Sequence, residues 1–194
     1  MTQSIHPNWE NNINEKTTKL VVGSMPPEFV ITKNSDKMRI DYFYGSKYSH
    51  FWNICEEINN IKINDANDCI NLIKSKNIGI IDIYKSCVRK DNNSADNNLV
   101  PKEFENITNV LYDYPNIEEI YCTSVYVKNK LIKILKENFK EKFIFDKNTR
   151  SGILKLKDLK DKKLICVYSP MQKVYYTYKD KAIYMDLYRD LFKD

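Results

Sequence analysis

Glycine, proline and histidine are scarce in this chain of 194 residues, which holds 4, 6 and 2 of them. There is no G-x-x-x-x-G-K-[ST] loop and no G-x-G-x-x-G, so nucleotide hydrolysis and ordinary dinucleotide redox chemistry lack their usual support. His6 falls in an expected N-terminal tail. A Ser-His-Asp triad would therefore have to use His50, and no G-x-S-x-G elbow is present to go with it. The five cysteines, Cys55, Cys69, Cys87, Cys122 and Cys166, are widely spaced and form no C-x-x-C pair. That pattern argues against a disulfide framework, a zinc site or an iron–sulfur cluster. They read as reduced thiols, with Cys122 and Cys166 as small core residues. No metal and no cofactor are expected. No apolar run approaches the roughly 18 residues of a membrane span. The first 18 residues are polar and lack a basic flank followed by an apolar stretch, so a soluble, cytoplasmic monomer is expected.

What the chain does have is 42% hydrophobic and 12% aromatic residues, enough for a sizeable core. The length suits a single domain over 1–194, with 1–17 as an N-terminal extension. Charge is uneven: residues 128–163 carry 13 basic side chains against 5 acidic, whereas residues 1–127 carry 13 against 17. The basic segment suits a polyanion, or equally a solvated lysine-rich face.

Four short apolar runs have the pattern of strands buried on both faces: Lys19 to Gly23, Ile78 to Ile83, Glu119 to Cys122 and Lys163 to Tyr168. Helical patterns separate them. Ser49 to Asn59 places Phe51, Trp52, Cys55 and Ile58 on one face, and Ser124 to Phe139 repeats Val127, Leu131, Ile134 and Leu135. A last helix is expected over Asp180 to Phe192, with Ile183, Leu187, Tyr188 and Leu191 inward. Lys142 to Phe145 with Ile153 to Leu156 reads as a small hairpin or an edge addition. This alternation predicts an α/β fold with a parallel sheet. Ligands of such sheets bind beyond the carboxyl ends of the strands. Those ends are the loop Gly23 to Pro27, the loop Tyr84 to Asn98, the turn Thr123 to Tyr126 and the loop Ser169 to Lys173.

Four segments in order resemble the uracil-DNA glycosylase superfamily, and within it the hypoxanthine (deoxyinosine) glycosylase branch. Leu20-Val-Val-Gly-Ser-Met-Pro-Pro27 is similar to the first motif. Asp41-Tyr-Phe-Tyr-Gly-Ser-Lys-Tyr-Ser-His-Phe-Trp52 is similar to the second. Gly79, Asp82, Cys87, Arg89, Ser94 and Asp96 fall at the spacing of the third. Val167-Tyr-Ser-Pro-Met-Gln172 stands at the place of the Ser-Pro loop.

The resemblance implies a three-layer α/β/α sandwich around a four-stranded parallel sheet, and excision of a flipped, deaminated base from DNA without a cofactor. Asp82, Ser24 and Ser49 then become catalytic candidates. Asp82 would stand near the sugar, with Asp96 next, while Ser24 and the amides of Ser24 and Met25 would receive a base carbonyl. Met25, Pro26, Phe43, Tyr44 and Ser46 become the base pocket, with Tyr44 or Phe43 stacking and with Phe51 and Trp52 supporting from the core. Lys85, Arg89, Lys90, Asp96, Ser169, Met171, Gln172 and Lys173 become the DNA-facing rim, with Met171 or Gln172 as a wedge.

The chain also departs from the pattern. Met25 stands where mismatch-specific relatives have a catalytic Asn, and Ser46 and Ser49 stand where the hypoxanthine branch keeps Asn. Two other readings therefore stay open: a non-catalytic nucleic-acid or nucleobase binder that keeps the pocket, and an unrelated flavodoxin-like module.

Overall fold

A computed structural model describes residues 3–90, 95–177 and 181–193, apart from the side chains of Gln172, Lys173, Tyr176 and Lys181. In chain order the elements are β1 (Gln3–Ile5), β2 (Lys19–Gly23), α1 (Glu28–Ile31), α2 (Phe51–Asn59), α3 (Ala66–Ser75), β3 (Ile78–Asp82), β4 (Tyr84–Arg89) and β5 (Leu99–Phe104). They continue with α4 (Ile107–Asp113), β6 (Glu119–Cys122), α5 (Val125–Leu135), β7 (Phe145–Asp146), β8 (Ser151–Leu154), β9 (Lys162–Cys166), α6 (Gln172–Thr177) and α7 (Lys181–Phe192).

The main sheet has six strands in the order β3-β2-β6-β9-β8-β7. β3, β2, β6 and β9 pair in parallel, while β8 and β7 add antiparallel at the β9 edge. The sheet is thus six-stranded and mixed rather than four-stranded and parallel, because the segment read as a hairpin or edge addition joins it. Alternate residues of each parallel strand feed opposite cores. Val21, Ile80, Tyr121 and Ile165 pack toward α2, α3 and α7, whereas Leu20, Ile81, Ile120 and Leu164 pack toward α4 and α5. A strand buried on both faces can have no polar side, which is why these four read as continuous apolar runs.

Local chemistry sets the helix ends. Ser124 caps α5 by accepting from Val127 N–H at 3.1 Å, and Asp65 caps α3 by accepting from Asp68 N–H at 3.0 Å. Asn60 ends α2 in the left-handed region with φ 50°. In α7 Tyr188 and Leu191 are buried as expected and Leu187 partly so, but Ile183 is half exposed, and Tyr184 and Met185 are buried in its stead.

Two further expectations are corrected. Tyr84 to Arg89 is a strand rather than part of a loop, and it forms a second, three-stranded sheet in the order β1-β4-β5. The segment read as an N-terminal extension is built into the fold. Gln3, Ser4 and Ile5 pair with Val88, Cys87 and Ser86, and the buried Asn12 donates Nδ2–H to Ile78 O at 2.7 Å.

Leu131 is fully buried in the α4/α5 core. Leu131→Ala is expected to cost about 2–5 kcal/mol, read as a lower urea midpoint with an unchanged slope.

Candidate active site

β2, β3, β6 and β9 end on the same edge, and the segments that follow them, with the segment before α2, line a cavity of about 430 Å³. That is within the usual range of small-molecule pockets. Its floor rests on Gly23. A Cβ at this position would lie 2.0 Å from Asp82 Oδ1 and 2.6 Å from Tyr44 Oη. Only a residue without a side chain allows a carboxylate from β3 and a phenol from the loop before α2 to converge over the end of β2.

Tyr44 reaches this point through a turn of unusual backbone. Its φ is 57°, in the left-handed region that bulky residues avoid. The turn is closed by Gly45 N–H donating to Tyr42 O at 2.9 Å, and a Cβ on Gly45 would sit 1.8 Å from Ile40 O. The Tyr44 ring stacks on Phe51 at 4.5 Å, and its hydroxyl donates to Thr123 Oγ1 at 3.2 Å. Burial, followed by the negative charge of Asp82, holds the phenol well above its ordinary pKa. The ring therefore faces the cavity as a neutral aromatic surface.

Ser24 and Asp96 form the opposite wall. Ser24 Oγ donates to Asp96 Oδ1 at 2.5 Å. The pKa of Asp96 is raised, first by burial and then by Asp82, against the lowering effect of its hydrogen bond from Ser24. Met25, Pro26 and Pro27 continue this wall. Among the described residues, no backbone acceptor is found for the N–H of Ser24 or Met25.

The roof joins two distant loops. His50 N–H donates to Pro170 O at 2.7 Å, and Ser49 and Met171 form an antiparallel bridge. Ser46, Ser49, Ser124, Ser169 and Met171 line the cavity, and Met171 is 40% exposed at its edge. Ser46 Oγ accepts from Tyr48 N–H at 3.1 Å and Ser49 Oγ from Phe51 N–H at 3.4 Å, which leaves each hydroxyl proton available to a ligand.

The sequence-predicted residues therefore divide. Ser24, Met25, Pro26, Tyr44, Ser46, Ser49, Asp82, Asp96, Ser169 and Met171 meet around one cavity. Asp96 belongs inside it, hydrogen-bonded to Ser24, rather than on an outer rim. Phe43 is not part of this wall: it is 3% exposed, packs against Trp9 and Tyr42, and faces a different cavity. The positive φ at Tyr44 turns the two neighbouring rings in different directions.

Arg89 is not a surface contact either. It is 4% exposed, its Nε donates to Ser4 Oγ at 3.1 Å, and its Nη2 donates to Pro26 O. It therefore braces the Ser24 to Pro27 loop from behind. Lys85 pairs with Glu105 at 3.7 Å, and Lys90 is exposed. Ser94 and the side chains of Gln172 and Lys173 lie outside the described residues. No residue of the basic 128–163 segment lines the cavity. Several of its lysines are engaged locally: Lys128 lies 4.1 Å from the Phe145 ring, and Lys155 and Lys163 pair with Glu141 and Glu119.

Sequence reasoning missed His6. Its Nε2 lies 3.3 Å from Asp82 Oδ2, on a segment read as a tail. No apolar periodicity marks β1, so the sequence carried no signal for it. Among the described residues, no cluster of three or more His, Cys, Asp or Glu side chains is arranged to hold a metal ion. No described helix is long and apolar enough to cross a membrane.

No family model matches the chain, and no curated protein does. Among solved structures, the chain is similar to the solution NMR structure of a protein from Methanosarcina acetivorans that is provisionally described as a uracil DNA glycosylase. The TM-score is 0.64 at 14% identity, over 98% of this chain and 99% of that one. The two share a fold.

Arg89→Ala is expected to lower stability by about 2–3 kcal/mol, the scale of losing hydrogen bonds from a buried charged group. The salt dependence of any DNA binding should stay unchanged, because Arg89 reaches no phosphate. Urea titration and binding at several salt concentrations check the two halves.

Proposed function

We propose that the protein is a DNA glycosylase that hydrolyses the N-glycosidic bond of a flipped, deaminated base, uracil or hypoxanthine, and leaves an abasic site. The observation that carries this reading is the convergence of Asp82 and Tyr44 over Gly23, facing Ser24 and Asp96 across a base-sized cavity. The shared fold with a protein provisionally described as a uracil DNA glycosylase supports it.

The chemistry follows from the wall residues. A base in duplex DNA is inaccessible, so the nucleotide must swing out, and an aromatic face compensates the stacking it loses. Tyr44 supplies that face on a rigid Phe51 backing. Breaking the C1′–N bond sends its electron pair to the departing base and leaves positive charge on the sugar. The amides of Ser24 and Met25 receive the developing charge on the base carbonyl, on a loop whose Ser24 side chain is tied down by its bond to Asp96. Asp82 favours the cationic sugar and accepts a proton from water as the water oxygen bonds to C1′. Ser49 and Ser46 orient that water from the roof. Ser169 and Met171 meet the DNA at the mouth, with Lys85, Lys90, Gln172 and Lys173 as further rim candidates.

A pocket-retaining binder without catalysis is the competing reading, favoured by Met25, Ser46 and Ser49 standing where the resembled families keep Asn. It predicts salt-dependent DNA binding without base release.

The test is base release from labelled oligonucleotides carrying one uracil, hypoxanthine or xanthine, single-stranded and in each pairing. Release at one lesion above a mock-purified control is expected. Binding without release at micromolar protein would favour the alternative. Asp82→Asn should lower the release rate by at least about 100-fold, at the lower end of what a positioned acid or base contributes, with DNA affinity nearly unchanged.

A second outcome concerns Asp96. The folded protein holds its proton to higher pH than the unfolded chain does, so stability falls as the pH rises through the raised pKa. Asp96→Asn removes that cost and keeps an oxygen for Ser24. Its thermal midpoint at pH 7 should exceed that of the unaltered protein. The difference should close as the pH falls below the ordinary aspartate range, while base release is reduced.

A further inference from the structure

His6 leaves β1 where the chain turns across the carboxyl end of β3. Its N–H donates to Lys85 O at 2.8 Å, which fixes the residue to β4. The imidazole packs against Trp9 and Phe43, with ring centroids 5.4 and 5.3 Å away. Nδ1 accepts from Asn8 N–H at 3.1 Å, and a neutral imidazole that accepts at Nδ1 carries its proton on Nε2. That Nε2 lies 3.3 Å from Asp82 Oδ2, and the two side chains are only 10% and 8% exposed.

The pair is close without being aligned. Nε2 is buried and makes no hydrogen bond of good geometry. A buried donor left in that state is costly unless something closes the gap. The other carboxylate oxygen, Oδ1, sits over Gly23 beside Tyr44 Oη. Asp82 thus stands between the base-sized cavity and a second one of about 350 Å³, lined among others by His6, Asn8, Asn11, Lys85 and Glu105. The remaining charged groups facing the pair are Lys85 and Glu105, which pair with each other at 3.7 Å, and Asp96 across the first cavity.

We propose that His6 is the positioning residue for Asp82: its Nε2–H closes onto Oδ2 when a nucleotide fills the site, so that Oδ1 is the oxygen that orients and deprotonates water. The inference rests on the glycosylase reading. It gives the N-terminal strand a role in the site, since pairing of β1 with β4 is what carries the imidazole to the carboxylate.

Two variants separate positioning from packing. His6→Phe keeps an aromatic ring and removes the donor, whereas His6→Gln keeps an N–H near the Nε2 position. In single-turnover base release, His6→Phe is expected to slow the step at least about tenfold with the lesion-DNA Kd within about twofold of the unaltered protein, and His6→Gln to restore most of the rate. An unchanged rate in His6→Phe, or equal losses in both variants, would overturn the proposal.

A second readout does not use activity. The chain has 2 histidines, so an imidazole ¹⁵N spectrum reports His6 and His50 alone. Asp82→Asn is expected to shift the His6 nitrogens and leave those of His50 in place. No shift at His6 would overturn the contact. If the unaltered protein releases no base while the His6 shift is present, the glycosylase reading falls and the His6–Asp82 contact is supported.

Discussion

The site depends on an exclusion at residue 23. A side-chain carbon there would overlap the Asp82 carboxylate and crowd the Tyr44 hydroxyl, so the end of β2 must be bare. The parallel pairing of Gly23 with Asp82 then puts a carboxylate directly beside the gap, and the left-handed backbone at Tyr44 delivers the ring from the other side. Neither group could be supplied by a neighbouring position. A one-residue slip of β3 would turn Asp82 into the apolar layer, because side chains alternate between faces.

Rigidity around this floor comes from interactions that reach no ligand. Arg89 bonds to Pro26 O and Ser4 Oγ and so ties the loop after β2 to the second sheet. The bonds between the 46–50 and 169–171 loops do the same for the roof. Small displacements of a reacting group are costly in rate, and such bracing limits them. The strain at Tyr44 is likewise borne by the turn hydrogen bond at Gly45 and by stacking on Phe51, which together over-determine an otherwise unfavourable conformation.

The parallel strands and the edge they share could be read from the sequence, because burial on both faces leaves continuous apolar runs such as Leu20-Val-Val and Ile80-Ile. Ten of the expected site residues meet at one cavity: most lie at or beyond that edge, while Tyr44, Ser46 and Ser49 reach it from the segment before α2. What was hidden depends on contacts between distant residues. β1 is three residues long, and its partner lies some eighty positions away. Tyr84 to Arg89 mixes polar and apolar residues and read as a loop until β1 and β5 were paired with it. Arg89 carries the charge of a phosphate contact, and nothing in its neighbours announces that it is buried. Phe43 and Tyr44 are adjacent and alike, and only the sign of φ decides which of them reaches the cavity.

Under the proposed reading, serines at positions 46 and 49 bear on how such a cavity would work, because the resembled branch keeps asparagines there. An Asn side chain offers both a donor and an acceptor and can orient water without being charged. Ser46 and Ser49 have their oxygens engaged by backbone N–H groups, so each presents chiefly a donor to the cavity. The missing acceptor function has to come from elsewhere, and the wall provides it as two carboxylates. A carboxylate in a partly buried site is a stronger acceptor than an amide, yet it loses hydration and suffers repulsion from its neighbour: burial first, and Asp82 after it, raise the pKa of Asp96. A nearby N–H that opposes this repulsion at Asp82 without entering the cavity would leave one oxygen free for water. Among the described residues His6 is the side chain that meets this description, and it arrives on a strand that the motif-bearing loops do not include.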